Sequence, residues 1–168
     1  MQTIDQVTQV FDGQKRAYAA NHVVPFSVRE SRLQRVESLV RENYREIIKA
    51  VQDDFGTRDE DMAFLGEIYS PLDHGAHARK HLKKWMRPRR QPDGFLGLLG
   101  QRSYVMHEPL GVVGVISAFN APVSLALDPA IDAIAAGNTV MLRMPEMMPA
   151  VGGLMVDLVA KYFEETEL

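Results

Sequence analysis

Two short apolar runs, Val112–Ile116 and residues 139–142, bracket an apolar stretch over 123–136 that opens after Pro122 and stops at Gly137. That order constrains the chain more than any other feature. A run of five apolar residues between turn signals reads as a strand buried on both faces. Proline suits a first helical position and glycine the residue just past a helix, so 123–136 reads as a helix. A second buried strand over 139–142 and a further helix over 150–163 follow. Strand, helix, strand, helix with short connections means a parallel pair joined by a right-handed crossover.

Upstream the period changes to that of helices. Thr3 and Gln6 have the spacing of a capping box, followed by Ile4, Val7, Val10, Phe11 and Tyr18 at helical intervals. A second helix is expected from Ser27, with Glu30 as reciprocal cap and an apolar stripe of Leu33, Val36, Val40, Tyr44, Ile47 and Val51. Gly56 is its stop signal. A third spans 60–85 with Phe64, Leu65, Ile68, Leu72 and Leu82 inward, and Pro71 must kink or divide it. Residues 87–100 are rich in proline and glycine and read as a connector; 101–107 reads as a hairpin-like strand outside the main sheet. The expected fold class is α/β: N-terminal helices followed by the start of a doubly wound parallel sheet. The expected division is a helical segment and linker over 1–100 and an incomplete nucleotide-binding α/β domain over 101–168.

Composition narrows the functions. Hydrophobic residues are 46% and charged residues 24% of the 168, the balance of a globular protein. A net charge of −3 gives no general attraction to nucleic acid or anionic membranes. No apolar run approaches the roughly 20 residues that span a bilayer, and the start lacks a secretory pattern, so a cytoplasmic protein is expected. Cysteine is absent, which excludes disulfides and a thiolate nucleophile within these residues.

Ligands of open parallel sheets bind at the carboxyl ends of the strands. Those ends are Ile116, Ser117, Ala118, Phe119 and Asn120 after the first strand, and Arg143 to Glu146 after the second. Asn120 is a neutral amide beside a positive helix end, suited to steady a developing oxyanion. Arg143 and Glu146 pair a donor with an acceptor, as ribose hydroxyls require. On spacing alone a helix cap and a surface ion pair are the favoured reading of these residues. His74, His77 and His81 share a helix face but lack a carboxylate or cysteine cluster, so they read as a solvated face and no metal is expected. The basic run of Lys80, Lys83, Lys84, Arg87, Arg89 and Arg90 reads as solvated surface and linker. The methionines at 141, 144, 147, 148 and 155 read as core gap-fillers.

The stretch EPLGVVGVISAFNAPVSLALDPAIDAIAAGNTVMLRMPEMMPA over 108–150 is similar to the cofactor-binding region of NAD(P)-dependent aldehyde dehydrogenases, which reads PLGVVG, a strand, PWNYP, an apolar helix and AAGNTVVLKPSE. The DFG at 54–56 and KHLKKWMRPRR at 80–90 resemble the coniferyl-aldehyde dehydrogenase branch. The resemblance covers the family's opening third. It implies that Asn120 holds the oxyanion of the reacting aldehyde and that Ile116, Ser117, Ala118 and Phe119 line the cofactor. It also implies that Arg143 and Glu146 hold the adenosine ribose of NAD or NADP. Phe119 stands for the usual tryptophan, Ala121 for an aromatic and Arg143 for lysine, so the phosphate preference stays open. The family's cysteine, glutamate and glycine-rich turn fall in segments past residue 168. The implied enzyme oxidises an aldehyde as a homo-oligomer, and these residues alone should be inactive. A non-catalytic binding or oligomerisation module, or a truncated remnant, remains the alternative. As two strands leave an edge unpaired, self-association is expected there, with Ala126, Ile131, Ile134, Leu154, Val156 and Leu158 as exposed apolar surface.

Overall fold

A computed structural model describes residues 4–168, so the Thr3 cap lies outside the described residues. Helices α1 (Ile4–Ala20), α2 (Phe26–Glu42), α3 (Tyr44–Phe55), α4 (Glu60–Ala63) and α5 (Ser70–Trp85) come first. A small antiparallel sheet of β1 (Arg89–Gln91) and β2 (Ser103–Val105), with α6 (Gly94–Leu98) between them, stands apart. The parallel unit is β3 (Val112–Ile116), α7 (Ser124–Ala136), β4 (Thr139–Arg143) and α8 (Pro149–Tyr162). The α/β class and the parallel pair are as expected. The hairpin-like strand is also present, but its partner β1 lies inside the stretch read as a connector.

The helical layer departs from the expected pattern in four places. The second helix begins at Phe26 without a side-chain cap from Ser27, and it breaks at Asn43. There the Nδ2 amide donates to the carbonyls of neither strand nor sheet but to Leu39 O at 2.7 Å and to the Tyr162 hydroxyl at 3.1 Å. A side chain that competes for the backbone in this way interrupts a helix. Pro71 does not divide the third helix, because residues 64–69 form a π-helical segment whose widened turn joins α4 to α5. That turn swings Phe64 and Leu65 outward to exposed positions, while Ile68 and Leu82 are buried. On α1, the expected stripe of Ile4, Val7 and Phe11 is exposed, and the one buried side chain is Gln14.

One apolar cluster runs through α2, α3, α5, α7, α8 and both parallel strands. α7 packs on β3 and β4 from within, and against α2 and α5 on its other side. Ala126, Ile131, Ile134 and Leu158 are therefore buried rather than exposed; Leu154 is half-buried and Val156 is open. Strand β3 is buried on one face only, with Val115 inward and Ile116 80% exposed. Among the methionines, Met148 and Met155 fill the core, but Met147 is exposed. The outer side of β4 is partly closed as well. Val140 donates its N–H to Glu167 O at 3.1 Å, and its carbonyl accepts from Gln14 Nε2 at 3.0 Å. Gln14 Nε2 also donates to Glu165 O at 2.9 Å, so the nitrogen of this buried amide is satisfied, while its Oε1 finds no partner among the described residues. Among the described residues, no helix is long and apolar enough to cross a membrane.

Candidate functional site

Each parallel strand feeds a helix whose first N–H groups have no partner of their own. Both helix starts receive a carboxylate from the helical layer. Asp54, at the end of α3, accepts from Ala150 N at 3.0 Å and Val151 N at 2.9 Å, capping α8. Glu67, on the π-helical segment, accepts from Val123 N at 2.9 Å and Ser124 N at 3.2 Å, capping α7. Glu67 is fully buried, and burial raises its pKa above the usual carboxylate value against the pull of those two N–H donors. The Arg58 guanidinium lies 3.8 Å from its other oxygen. Arg58 also donates to the Asn120 carbonyl at 3.0 Å and rests on the Phe55 ring at 3.9 Å. A buried acid and an arginine thus grip the turn between β3 and α7 from behind.

The residues read from the sequence lie together on the outer rim of that turn. Ser117 donates its Oγ–H to Pro122 O at 2.7 Å and is buried, so its hydroxyl shapes the turn. Its N–H donates to Arg143 O at 2.9 Å, which ties the ends of β3 and β4 together. Ala118, Phe119 and Asn120 are exposed. The Asn120 amide has no protein partner among the described residues; only its backbone carbonyl is engaged. Arg143 and Glu146 form an ion pair with each other at the end of β4, both well exposed. Ile116, the register partner of Arg143, and Phe119 supply uncovered apolar surface. A separate groove of about 410 Å³ between α1, β4 and α8, lined by Val10, Gln14, Leu142, Met155 and Phe163, holds none of these residues.

The sequence reading did not find Arg58 or Glu67, which stand far from the strand ends along the chain. The available signal was an acid inside the apolar run Phe64, Leu65, Ile68, because a buried charge needs partners of its own.

Residues 1–166 match the model of the aldehyde dehydrogenase family. The chain belongs to that family. Among aldehyde dehydrogenases it is 39% identical over 168 residues to a probable coniferyl aldehyde dehydrogenase of Pseudomonas aeruginosa, covering 99% of this chain and 35% of that protein. It is 37% identical over 164 residues to the coniferyl aldehyde dehydrogenase of a Pseudomonas species, covering 98% and 34%. The chain thus spans about a third of the length of the curated relatives it matches. The substrate-bound Staphylococcus aureus AldH superposes with a TM-score of 0.91 at 28% identity, over 99% of this chain and 35% of that one. The glyceraldehyde-3-phosphate dehydrogenase GapN of Methanocaldococcus jannaschii, in complex with NADP, shares the aldehyde dehydrogenase fold at a TM-score of 0.78 and 20% identity, over 96% of this chain and 35% of that one.

Proposed function

We propose that these residues hold the adenosine end of NAD or NADP and present Asn120 to an aldehyde carbonyl. They would do so within an enzyme that oxidises an aldehyde of the coniferyl type to its carboxylic acid. The observation that carries the reading is the Asn120 turn. Its backbone is clamped by Arg58, and its side-chain amide is exposed and unengaged. An amide N–H held by its backbone, and not spent on a protein acceptor, can donate to an oxygen that gains negative charge, with little reorganisation.

The cofactor side is supported by the chemistry of the rim. Ile116 and Phe119 offer an apolar platform, and the Arg143–Glu146 pair offers a donor and an acceptor suited to ribose hydroxyls. Ala118 is small enough to let a ligand approach the backbone, and Ser117 holds the rim in shape. The N-termini of α7 and α8 already take Glu67 and Asp54, so neither is left for a pyrophosphate. The fit is with the adenosine end. When bound there, the cofactor would supply the hydride-accepting nicotinamide that the oxidation needs. Because the 168 residues contain no cysteine, the family's nucleophile is not among them, and by themselves they should not oxidise aldehydes. An oligomeric, cytoplasmic enzyme, and a division near residue 100 into helical segment and cofactor domain, belong to the same reading and rest on family membership.

The test is Asn120→Ala in an enzyme that contains these residues together with the family's cysteine and glutamate segments. The turnover number should fall roughly 100- to 1,000-fold with little change in the Michaelis constant. A change confined to the Michaelis constant would make Asn120 a binding or capping residue. Aldehyde-dependent NADH formation by the purified 168-residue chain would refute its expected inactivity.

A further inference from the structure

On α5 a row of rings runs along one face. His77 and His81 stack with centroids 4.2 Å apart, and the Trp85 indole follows at 5.9 Å from His77 and 5.8 Å from His81. Positions four apart on a helix are neighbours on one face. His74 is not part of the row, because its Nε2 is engaged with Asp132 Oδ1 at 2.8 Å. The sequence pattern by itself reads as a solvated face; the ring contacts and one hydrogen bond change that reading. We propose that His77 and His81 form a two-imidazole site for a divalent late transition ion, with Cu(II) held most tightly and Ni(II) and Zn(II) more weakly.

The chemistry is set by His81 Nδ1, which lies 2.9 Å from the carbonyl oxygen of His77. A carbonyl only accepts, so Nδ1 carries the proton, and in the neutral ring Nε2 keeps its lone pair. A backbone carbonyl that fixes the tautomer in this way is the usual outer partner of a metal-bound histidine. Neither ring nitrogen of His77 is taken by a hydrogen bond among the described residues. Two bonds of about 2.0 Å at a right angle need nitrogens roughly 3 Å apart, which a stacked pair reaches by turning about its side-chain torsions. Asp73, four residues before His77, and Lys84, three after His81, bring charges of opposite sign to the same face. Lys80, three residues after His77, adds a second ammonium to that face, so two lysines oppose a bound ion and one carboxylate favours it, and the two imidazole nitrogens must supply the affinity. With no cysteine in the chain, no thiolate competes for the ion, and imidazole ligands order the divalent ions with copper first. Water completes the coordination.

Trp85 is the chain's single tryptophan, and it touches both rings, so Cu(II) bound there quenches its fluorescence. The experiment is a titration of the 168-residue chain with Cu(II) in a non-coordinating buffer, with electron paramagnetic resonance to identify the nitrogen ligands. Saturation near one equivalent with two coordinated imidazoles is expected. His77→Ala and His81→Ala should each weaken the apparent affinity by roughly tenfold or more, whereas His74→Ala should stay within about twofold, since Asp132 holds that ring. All three side chains lie off the buried face of α5, and circular dichroism of each variant checks that the helix is retained. Quenching that does not saturate, or an affinity unchanged in either His77→Ala or His81→Ala, overturns the site. An equal loss in His74→Ala overturns the two-ligand assignment.

Discussion

The guanidinium of Arg29 fills the space that a side chain on Gly137 would need. A Cβ built there would sit 2.5 Å from Arg29 Cζ, and the backbone already has φ of +96°. Arg29 is held in place by Val24 O at 2.9 Å and Ala135 O at 3.0 Å, so it closes the C-terminus of α7 with a positive charge where the helix carbonyls are unpaired. Gly137→Ala combines a left-handed backbone with a clash against a buried, doubly bonded group. It should cost about 3 kcal/mol of stability in urea unfolding. A loss below about 1 kcal/mol would show that Arg29 can move aside freely.

Glu67 separates the role of shape from the role of charge. Glu67→Gln keeps an oxygen for the Val123 and Ser124 N–H groups and should change stability by no more than about 1 kcal/mol. Glu67→Ala strands two buried donors and removes the partner of Arg58; it should cost about 3 kcal/mol. The pH dependence has a definite sign. Burial raises the folded pKa of Glu67 above the unfolded value, so its contribution is fully present below the unfolded pKa and is lost as pH rises through the folded one. The stability difference between Glu67→Gln and the parent should therefore grow in favour of the variant as pH rises from 4 to 7. Unfolding at several pH values measures this, and a difference that stays flat refutes it.

Glu167 behaves in the opposite sense. Burial alone would raise its pKa, but hydrogen bonds from Arg35 and Arg32, at 2.7 Å and 3.0 Å, and their charges hold it down at about 2. A depressed folded pKa gives stability that is present above the unfolded value near 4.5 and is lost as pH falls toward 2. The amount is on the order of 3 kcal/mol. Acid unfolding should thus be much less steep in Glu167→Gln across that window. Equal slopes would mean that Arg32 and Arg35, midway along α2, gain nothing from Glu167 in the segment after α8.

Arg143 should govern the adenosine end of the cofactor. In an enzyme that contains the remaining family segments, Arg143→Lys should weaken NADP binding several-fold more than NAD binding. The planar fork can grip a phosphate in two places, whereas an ammonium acts as a point charge. Titration calorimetry with both cofactors decides it: equal losses would mean that Arg143 touches only what the two share.

The parallel unit was legible because its signals are local. Apolar runs bounded by Pro122 and Gly137 define β3, α7 and β4 within a few residues, and the family motif falls on the same stretch. The exposed rim of Ile116, Phe119, Asn120, Arg143 and Glu146 follows from strand ends alone. What holds that rim was not legible. Arg58 and Glu67 act across the chain, and no periodicity ties them to the Asn120 turn. The break at Asn43 likewise depends on Tyr162, a residue brought near only by packing. The exposure expected for Ile131 and Ile134 failed for a related reason: α2 and α5 cover α7, and a count of strands does not reveal a neighbouring helical layer.

The π-helical segment at 64–69 has a consequence for the register of the whole third helix. Each residue of an α-helix advances about 100° around the axis, and a widened turn holds one residue more than the ideal. Side chains on either side of residues 64–69 therefore stand out of angular step by about one residue. The shift lets Glu67 point inward beneath α7 while Ser70 meets Asp128 at 2.8 Å and His74 meets Asp132. Removal of a single residue from this segment would let the turn relax to an ordinary helix and rotate one half against the other. Either the acid beneath α7 or the pair of contacts along it would then face solvent. The segment thus tolerates exchange of one side chain for another far better than it tolerates a change in length.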